Sequence, residues 1–551
     1  MTWSPTEWGA LCGQCTLNHK TPIKPRINRR ALLVQIGGNP GKDEEIEKAF
    51  FVGQTGKLLD NCNSHLDIPS SKTHKTNALL CRPSYDTSEK DLKTAISCCR
   101  PRLAYELAQI EGTPTLQLMG KSALIAVTGK AKIFDAIGAP GKGGLFDSKG
   151  RRVASPTINK IQSASVNMLG YATLASLQPA YNLRQPAYTP VFLIHTDRAW
   201  KMANDKLPKW EWPTIVIDEG PEMFEALEYI RHCKTYYATD VETKIEDHSY
   251  LFNVGISVED VAVSVQWETA SPALRRLVKY VLETPHSDTG QNMQFDYFAL
   301  LANGIKVNKF DFDTMYAHRV FASQLKHSLD FMACVEFWCE RWKVHFKATG
   351  DKASKRFELA DPVERAEYNA KDAFITWLLR KVFYTRLENY PGGWALMNEY
   401  MALWDVAVEM RRVGFPVDST KFERHRSNLT EKVDTAYAKI MAITDGLKFV
   451  DRIGLKSKKQ DRGFMPSNHH HVRELFLYYL HVQPTKYSKK SGDASFDKET
   501  LLRVCAHPNQ IAADMARGLL EYRRWQKLKS TYVDGLPTVC YDDISGAFTH
   551  A

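Results

Sequence analysis

Three acidic patches, far apart in the chain, constrain the fold most, because they share a job only if the chain folds back to bring them together. Asp240 and Glu242 stand in ATDVET, Asp296 in GQNMQFDY and Asp372 in YNAKDA. Tyr236 to Asp240 reads as a short apolar strand, so Asp240 and Glu242, two apart, project from one face at its end. Asn292 and Asp296 are four apart, as are Tyr368 and Asp372, so each pair is expected to share one face of a helical turn. Carboxylates are the ligands that hard divalent cations such as Mg²⁺ and Mn²⁺ prefer. Two such ions about 4 Å apart activate a water and stabilise the leaving oxygen when a phosphodiester is cut. Acidic residues beside strands and helices are most often solvated surface charge, and any one patch alone would be read that way.

Taken in order, with DFDTMYAHRVF and LKHSLDFMACVEF between the second and third, the patches resemble the three motifs of the DEDD 3′–5′ exonucleases, in the form found in family A DNA polymerases. The resemblance implies a ribonuclease H-like fold for this part of the chain. It implies that Asp240, Glu242, Asp296 and Asp372 hold two Mg²⁺ or Mn²⁺ ions. It also implies that Tyr368 orients or helps deprotonate the attacking water and that Asn292 contacts DNA.

At 551 residues the chain is long for a single core, and about two to four domains are expected. Pro, Gly and Trp interrupt the pattern at LPKWEWPT (Leu207 to Thr214) and YPGGWAL (Tyr390 to Leu396), which suggests segments 1–208, 209–390 and 391–551. Gly138 to Arg152 reads as an exposed hairpin or insertion, and basic runs recur at Lys456 to Arg462 and Lys486 to Lys490. The triplet His469 to His471 follows Pro466-Ser467-Asn468 and reads as a solvated helix start rather than a metal site. The net charge of +10 suits a polyanionic partner such as nucleic acid. No apolar run approaches the roughly eighteen residues of a membrane span, and MTWSPTEWGALCGQC lacks the basic and apolar regions of a secretory signal. A cytoplasmic protein of a bacterial cell or phage-infected host is expected. In that reducing setting eleven cysteines are better tested against metal sites than disulfides.

In the first segment ALLVQIG reads as a buried strand running into GGNPG, where glycines allow close backbone approach. AFFVGQTGKLLD, KTNALLCRP, AISCCRPRL and PTLQLMGKSAL continue an alternation of strands and helices around a parallel sheet. This order resembles the family 4 uracil-DNA glycosylases. By that resemblance Cys12, Cys15, Cys81 and Cys99 match the ligands of a [4Fe–4S] cluster; a Cys₄ zinc site is the rival for the same donors. Phe51 and Asn77 fall where the family stacks the flipped uracil and bonds its edge. Two positions depart from the family: Gly38 stands where an acid is expected, and Gln178 precedes Pro179 where a histidine is expected. A glutamine can donate to a developing uracil anion but carries no positive charge to strengthen the bond. His195 in FLIHTDRA is a candidate substitute. A DNA-binding or uracil-sensing module, or a purely structural one, is favoured over active excision.

From about residue 391 the pattern is long and helical, and it resembles the thumb region of family A polymerases. In LLEYRRWQKLKSTYVDGLP, Arg523, Lys527 and Lys529 interleave with aromatics; taken alone the run reads as an amphipathic helix with a solvated basic face, and the resemblance implies contacts to phosphates and bases. The resemblance ends near DDISGAFTHA, where such polymerases enter the palm. A chain without palm and fingers is not expected to polymerise DNA by itself; a split polymerase, with a separate palm-bearing polypeptide as partner, and a truncated gene product are the two explanations, and a partner chain is expected. The expected whole is an α/β multidomain protein: a proofreading 3′–5′ exodeoxyribonuclease acting on primer–template and single-stranded 3′ ends, with a glycosylase-like module. The alternatives are a non-catalytic DNA-binding scaffold and a bifunctional enzyme that also excises uracil.

Overall fold

The computed structural model describes residues 3–129, 140–142, 171–233, 235–244, 249–285, 287–307, 310–339, 342, 360–416, 418–447, 464–487, 494–535, 541–542 and 547–548. The Gly138 to Arg152 insertion, apart from 140–142, lies outside the described residues, as do Lys456 to Arg462 and all but the first two residues of the Lys486 to Lys490 run. Residues 1–404 and 405–551 form two compact units.

The first unit opens with β1 (Leu33–Gly37), α1 (Lys42–Glu47), α2 (Gln54–His65), β2 (Thr73–Asn77), α3 (Glu89–Ala108), β3 (Thr115–Met119), α4 (Lys121–Thr128), β4 (Pro140–Lys142), β5 (Ala172–Ser176), α5 (Pro179–Arg184) and α6 (Thr189–Ala203). The sheet runs β2-β1-β3-β5-β4 and is parallel except where β4 meets β5. β1 and β3 are buried at every position. Strands covered on both faces need not alternate, which is why ALLVQIG reads as a continuous run. Within that core Gln35 and Gln117 are register partners, bonded side chain to side chain at 3.0 Å. Asn63 of α2 and Thr196 of α6 complete the polar row. A satisfied buried row of this kind pins the register, since a slip would strand its amides.

A second sheet follows, from β6 (Thr214–Val216), α7 (Pro221–His232), β7 (Tyr237–Thr243), β8 (Leu251–Ser257), β9 (Val261–Gln266), α8 (Pro272–Glu283), β10 (Asp288–Gly290), α9 (Gln294–Ala302), β11 (Phe310–Asp313), α10 (Thr314–Ala322), α11 (Leu329–Glu336) and α12 (Pro362–Asn389). Its order is β11-β10-β7-β8-β9-β6, with β7, β8 and β9 an antiparallel meander and β10 and β11 parallel to β7. α12 begins where the Asp361 carboxylate accepts the Val363 N–H at 2.8 Å, with Pro362 at its first position. It lies across β7, β8 and β9 and so carries its buried face to the centre of the sheet. The two sheets' helices meet where α6 packs on α11, through Tyr188, Val191, Phe331 and Val335.

α13 (Gly393–Val413) is followed by α14 (Ser419–Gly446), α15 (His469–Arg473), α16 (Lys498–Val504) and α17 (Gln510–Leu528). The second unit is mostly helical: α14 packs along α17 over Ile440, Met515, Ala516 and Leu519. α15 starts at Asn468, whose side chain accepts the His470 N–H at 2.9 Å. Of the histidine triplet, His469 and His470 are exposed, whereas His471 turns in to accept the Met465 N–H at 3.1 Å. Among the described residues no helix is long and apolar enough to cross a membrane.

Candidate metal centre and base pocket

β7 is longer than the apolar run indicated, reaching Thr243, so Asp240 and Glu242 lie within the strand, opposite Gly255 and Asn253 of β8. Their neighbours Thr239, Val241 and Thr243 are buried while the two acids are half-exposed, the alternation of a strand with one open face. Asp372 arrives from α12 and is buried. Ligand oxygens of Asp240, Glu242 and Asp372 lie within 4.8 Å of one another. Three carboxylates gathered so closely repel one another unless a cation sits among them.

Asp296, in the first turn of α9, is set slightly apart from that trio. It is buried, and its Oδ1 accepts the Val241 N–H at 2.9 Å, which ties it to the strand between Asp240 and Glu242. Burial, and then the charge of Asp240, push its carboxyl well above the usual range. Two of the trio are also held by neighbours: Asn369 donates to Asp240 Oδ2 at 2.9 Å, and the Trp342 indole donates to Asp372 Oδ1. Tyr368, half-buried, stands one turn before Asp372 on α12.

Asn292 does not share a helical face with Asp296. The helix begins at Gln294, and Asn292 precedes it in the left-handed region at φ 60°. The cause is Asp313, fully buried at the end of β11, whose carboxylate accepts the N–H groups of Asn292 and Met293 at 3.2 and 3.0 Å. The same carboxylate caps α10 through Met315 at 2.8 Å. Asparagine tolerates the left-handed bend this demands. Asp313 was present in the DFDTMYAHRVF stretch, but nothing in its spacing separates a loop clasp from a ligand.

In the first sheet's domain the thiols of Cys12, Cys15, Cys81, Cys98 and Cys99 line one cavity of about 300 Å³. The Leu11 N–H donates to the Cys98 carbonyl at 3.0 Å and fastens the C-x-x-C turn to α3. Burial, then the neighbouring thiols of Cys99, Cys15 and Cys12, push Cys81 up to about 12. Cys98, which the motif did not single out, is raised to about 11 by burial and by Cys15 and Cys99.

Phe51 and Asn77 meet over Gly37: a Cβ there would lie 2.3 Å from Asn77 Oδ1 and 2.9 Å from Phe51 Cζ, so only glycine permits their approach. Gln178 reaches the same loop, its Nε2 3.7 Å from where a Cβ on Gly38 would stand. The Asn77 end of β2 is braced from beneath. Arg102 donates to the Asn77 and Ala78 carbonyls at 2.8 and 3.0 Å and pairs with Glu106 at 2.5 Å; Glu106 also bonds His74 at 2.8 Å. Burial alone would raise Glu106, but Arg102 and His74 hold its carboxyl below the ordinary value. His195 is fully buried on α6.

Residues 25–205 match the uracil DNA glycosylase superfamily, and residues 215–388 match the 3′–5′ exonuclease family of the DNA polymerase A type. The chain joins a glycosylase-superfamily domain to a 3′–5′ exonuclease domain. It is 24% identical over 455 residues to DNA polymerase I of Chloroflexus aurantiacus, covering 79% of this chain and 44% of that one. It is 36% identical over 74 residues to the type-4 uracil-DNA glycosylase of Archaeoglobus fulgidus, covering 13% of this chain and 37% of that one. The type-4 enzyme of Saccharolobus solfataricus is 31% identical over 102 residues, or 18% and 46% of the two chains. The chain therefore spans less than half the length of each of these relatives.

Beyond the exonuclease domain, the residues expected to touch DNA divide. Arg523 turns inward and donates to the Phe496 carbonyl at 2.8 Å, a structural use of its charge. Lys529 pairs with Asp534 at 2.9 Å. Lys527 is exposed along a groove of about 1010 Å³ with Arg524, Trp525 and Tyr532. Lys432 and Arg524 lie 4.5 and 4.7 Å from the Trp525 ring centre, so Trp525 sits under two cations.

Proposed function

We propose that the chain is a two-metal 3′–5′ DNA exonuclease that proofreads for a DNA polymerase I-like polymerase. The gathering of Asp240, Glu242 and Asp372 oxygens within 4.8 Å carries this reading. Those three with Asp296 would hold two Mg²⁺ or Mn²⁺ ions, whose chemistry when bound is activation of a water and stabilisation of the leaving oxygen. The chain's own residues prepare that site. β7 presents two carboxylates on a rigid strand, α12 presents the third, and Val241 tethers Asp296 beside them. Tyr368, a turn before Asp372, orients the attacking water. The exposed Lys527 and Arg524 beside Trp525 are suited to hold the sugar–phosphate backbone. A polymerase palm is the partner that hands over a frayed 3′ end.

The glycosylase-superfamily domain fits a [4Fe–4S] cluster held by Cys12, Cys15, Cys81 and Cys99, with a structural role. The thiols line one cavity and are the donor set such a cluster needs, while a Cys₄ Zn²⁺ site is the rival for the same donors. Phe51 and Asn77 keep a base-sized pocket, but neither Gly38 nor Gln178 carries charge to activate water or stabilise the uracil anion. The domain is accordingly a DNA-binding, uracil-sensing module.

The test is digestion of a 5′-labelled primer on a template in Mg²⁺ or Mn²⁺. Mismatched 3′ ends are expected to shorten faster than paired ones, with no shortening in chelator. Equal rates for the two ends overturn proofreading, and shortening from the 5′ end overturns the polarity.

A further inference from the structure

The motif resemblance gives roles in YNAKDA to Tyr368 and Asp372 and none to Asn369. Asn369 is nonetheless fully buried at the interface of α12 with the sheet. Its amide nitrogen donates to one residue twice, to the Asp240 carbonyl at 3.0 Å and to Asp240 Oδ2 at 2.9 Å. Its amide oxygen accepts from Ser264 Oγ at 2.8 Å, and Ser264 Oγ accepts from Asn253 Nδ2 at 3.2 Å. Ser264 and Asn253 are likewise buried. Gly255, opposite Asp240 on one side and Ser264 on the other, makes room for this: a Cβ there would lie 2.6 Å from Asn369 Oδ1. A polar chain thus crosses three strands and ends on one carboxylate oxygen of the gathered trio.

A carboxylate rotates readily about its last torsion, so a fixed donor on one oxygen decides which way the group faces. We propose that Asn369 is a positioning residue of the metal centre, holding the plane of the Asp240 carboxylate for cation binding through the Asn253–Ser264–Asn369 relay. The inference rests on the exonuclease reading above. Partners that orient a ligand in this way typically account for 10–100-fold in metal affinity. An amide that merely filled the interface between helix and sheet would affect melting but leave metal affinity alone.

The experiment is titration of Mn²⁺ into the full chain, followed by the electron paramagnetic resonance of the free ion, for the parent, Asn369→Ala and Ser264→Ala. Asn369→Ala is expected to weaken Mn²⁺ binding about 10–100-fold, and Ser264→Ala by a smaller factor. Digestion by Asn369→Ala should recover at saturating Mn²⁺. Parent-like affinity in a folded Asn369→Ala overturns the positioning role. Where Asn369→Ala does not fold, Ser264→Ala decides, and parent-like affinity there overturns the relay. A parent that binds no Mn²⁺ removes the exonuclease reading itself, a separate failure.

Discussion

Arg198 of the glycosylase-superfamily domain donates to the carbonyl of Val335 in the exonuclease domain at 2.6 Å, and to that of Cys334 beside it. Those carbonyls belong to the last turn of α11, where a helix offers its carbonyls no N–H donors of its own. The guanidinium also lies 5.0 Å from the Trp338 ring centre. The two catalytic-type folds are therefore joined by a buried, directional contact and not only by a linker. Removing a charged donor from two buried carbonyls costs about 2–4 kcal/mol, so Arg198→Ala should lower the melting temperature of the exonuclease domain as well as its neighbour. Two separate unfolding transitions, with the exonuclease transition unmoved, would show that the joint carries no stability.

The five thiols around one cavity predict a graded response. Cys81→Ser and Cys99→Ser should each abolish the broad visible absorbance of protein purified without oxygen, while Cys98→Ser keeps it. Iron content of about four atoms per chain is expected, falling with the first two variants only. Zinc in place of iron, or loss of colour in Cys98→Ser alone, contradicts the assigned ligands.

The pocket over Gly37 predicts recognition without excision. In an Asp240→Ala background, oligonucleotides with one internal uracil should bind yet show no uracil-dependent break after alkali. A break at the uracil would mean that the pocket works without the charged groups it lacks, and Gln178→Ala would then be the next variant.

His318 and His327 face each other, Nδ1 to Nδ1, at 2.7 Å in the exonuclease domain. Burial, then the charge of His327 and Arg386, lowers His318 from 6.5 to about 3. Its folded value lies below its unfolded one, so the stability it supports is present above about pH 6.5 and is lost as the pH falls towards 3. At pH 5, some 1.5 units below the ordinary value, the loss is at most about 2 kcal/mol. Urea unfolding at pH 7 and pH 5 should show it, and His318→Leu should reduce the difference. An unchanged difference places the acid sensitivity elsewhere.

How much of this was legible in the sequence depends on whether a residue's job is local. Strand and helix alternation around ALLVQIG and the helix start before the histidine triplet follow from periodicity and capping, whereas the carboxylates are picked out by their resemblance to known motifs. Asn369 and Asp313 do not, because their partners lie 129 and about 20 residues away, and only pairing across the sheet brings them together. Asn292 was misplaced for the same reason: a four-residue spacing looks helical until a distant carboxylate draws its N–H out of the helix. Arg523 reads as a phosphate contact from composition alone, yet the fold spends its charge on the Phe496 carbonyl. The polar row through Gln35 and Gln117 was likewise hidden within an apolar run.

The central claim is that Asp240 and its neighbours form the hydrolytic centre. It is tested most directly by comparing parent and Asp240→Ala on a 5′-labelled single-stranded oligonucleotide in Mg²⁺, with DNA affinity measured alongside in metal-free buffer. The account predicts that digestion falls below detection in the variant while affinity stays within about twofold. Equal digestion by variant and parent would contradict it.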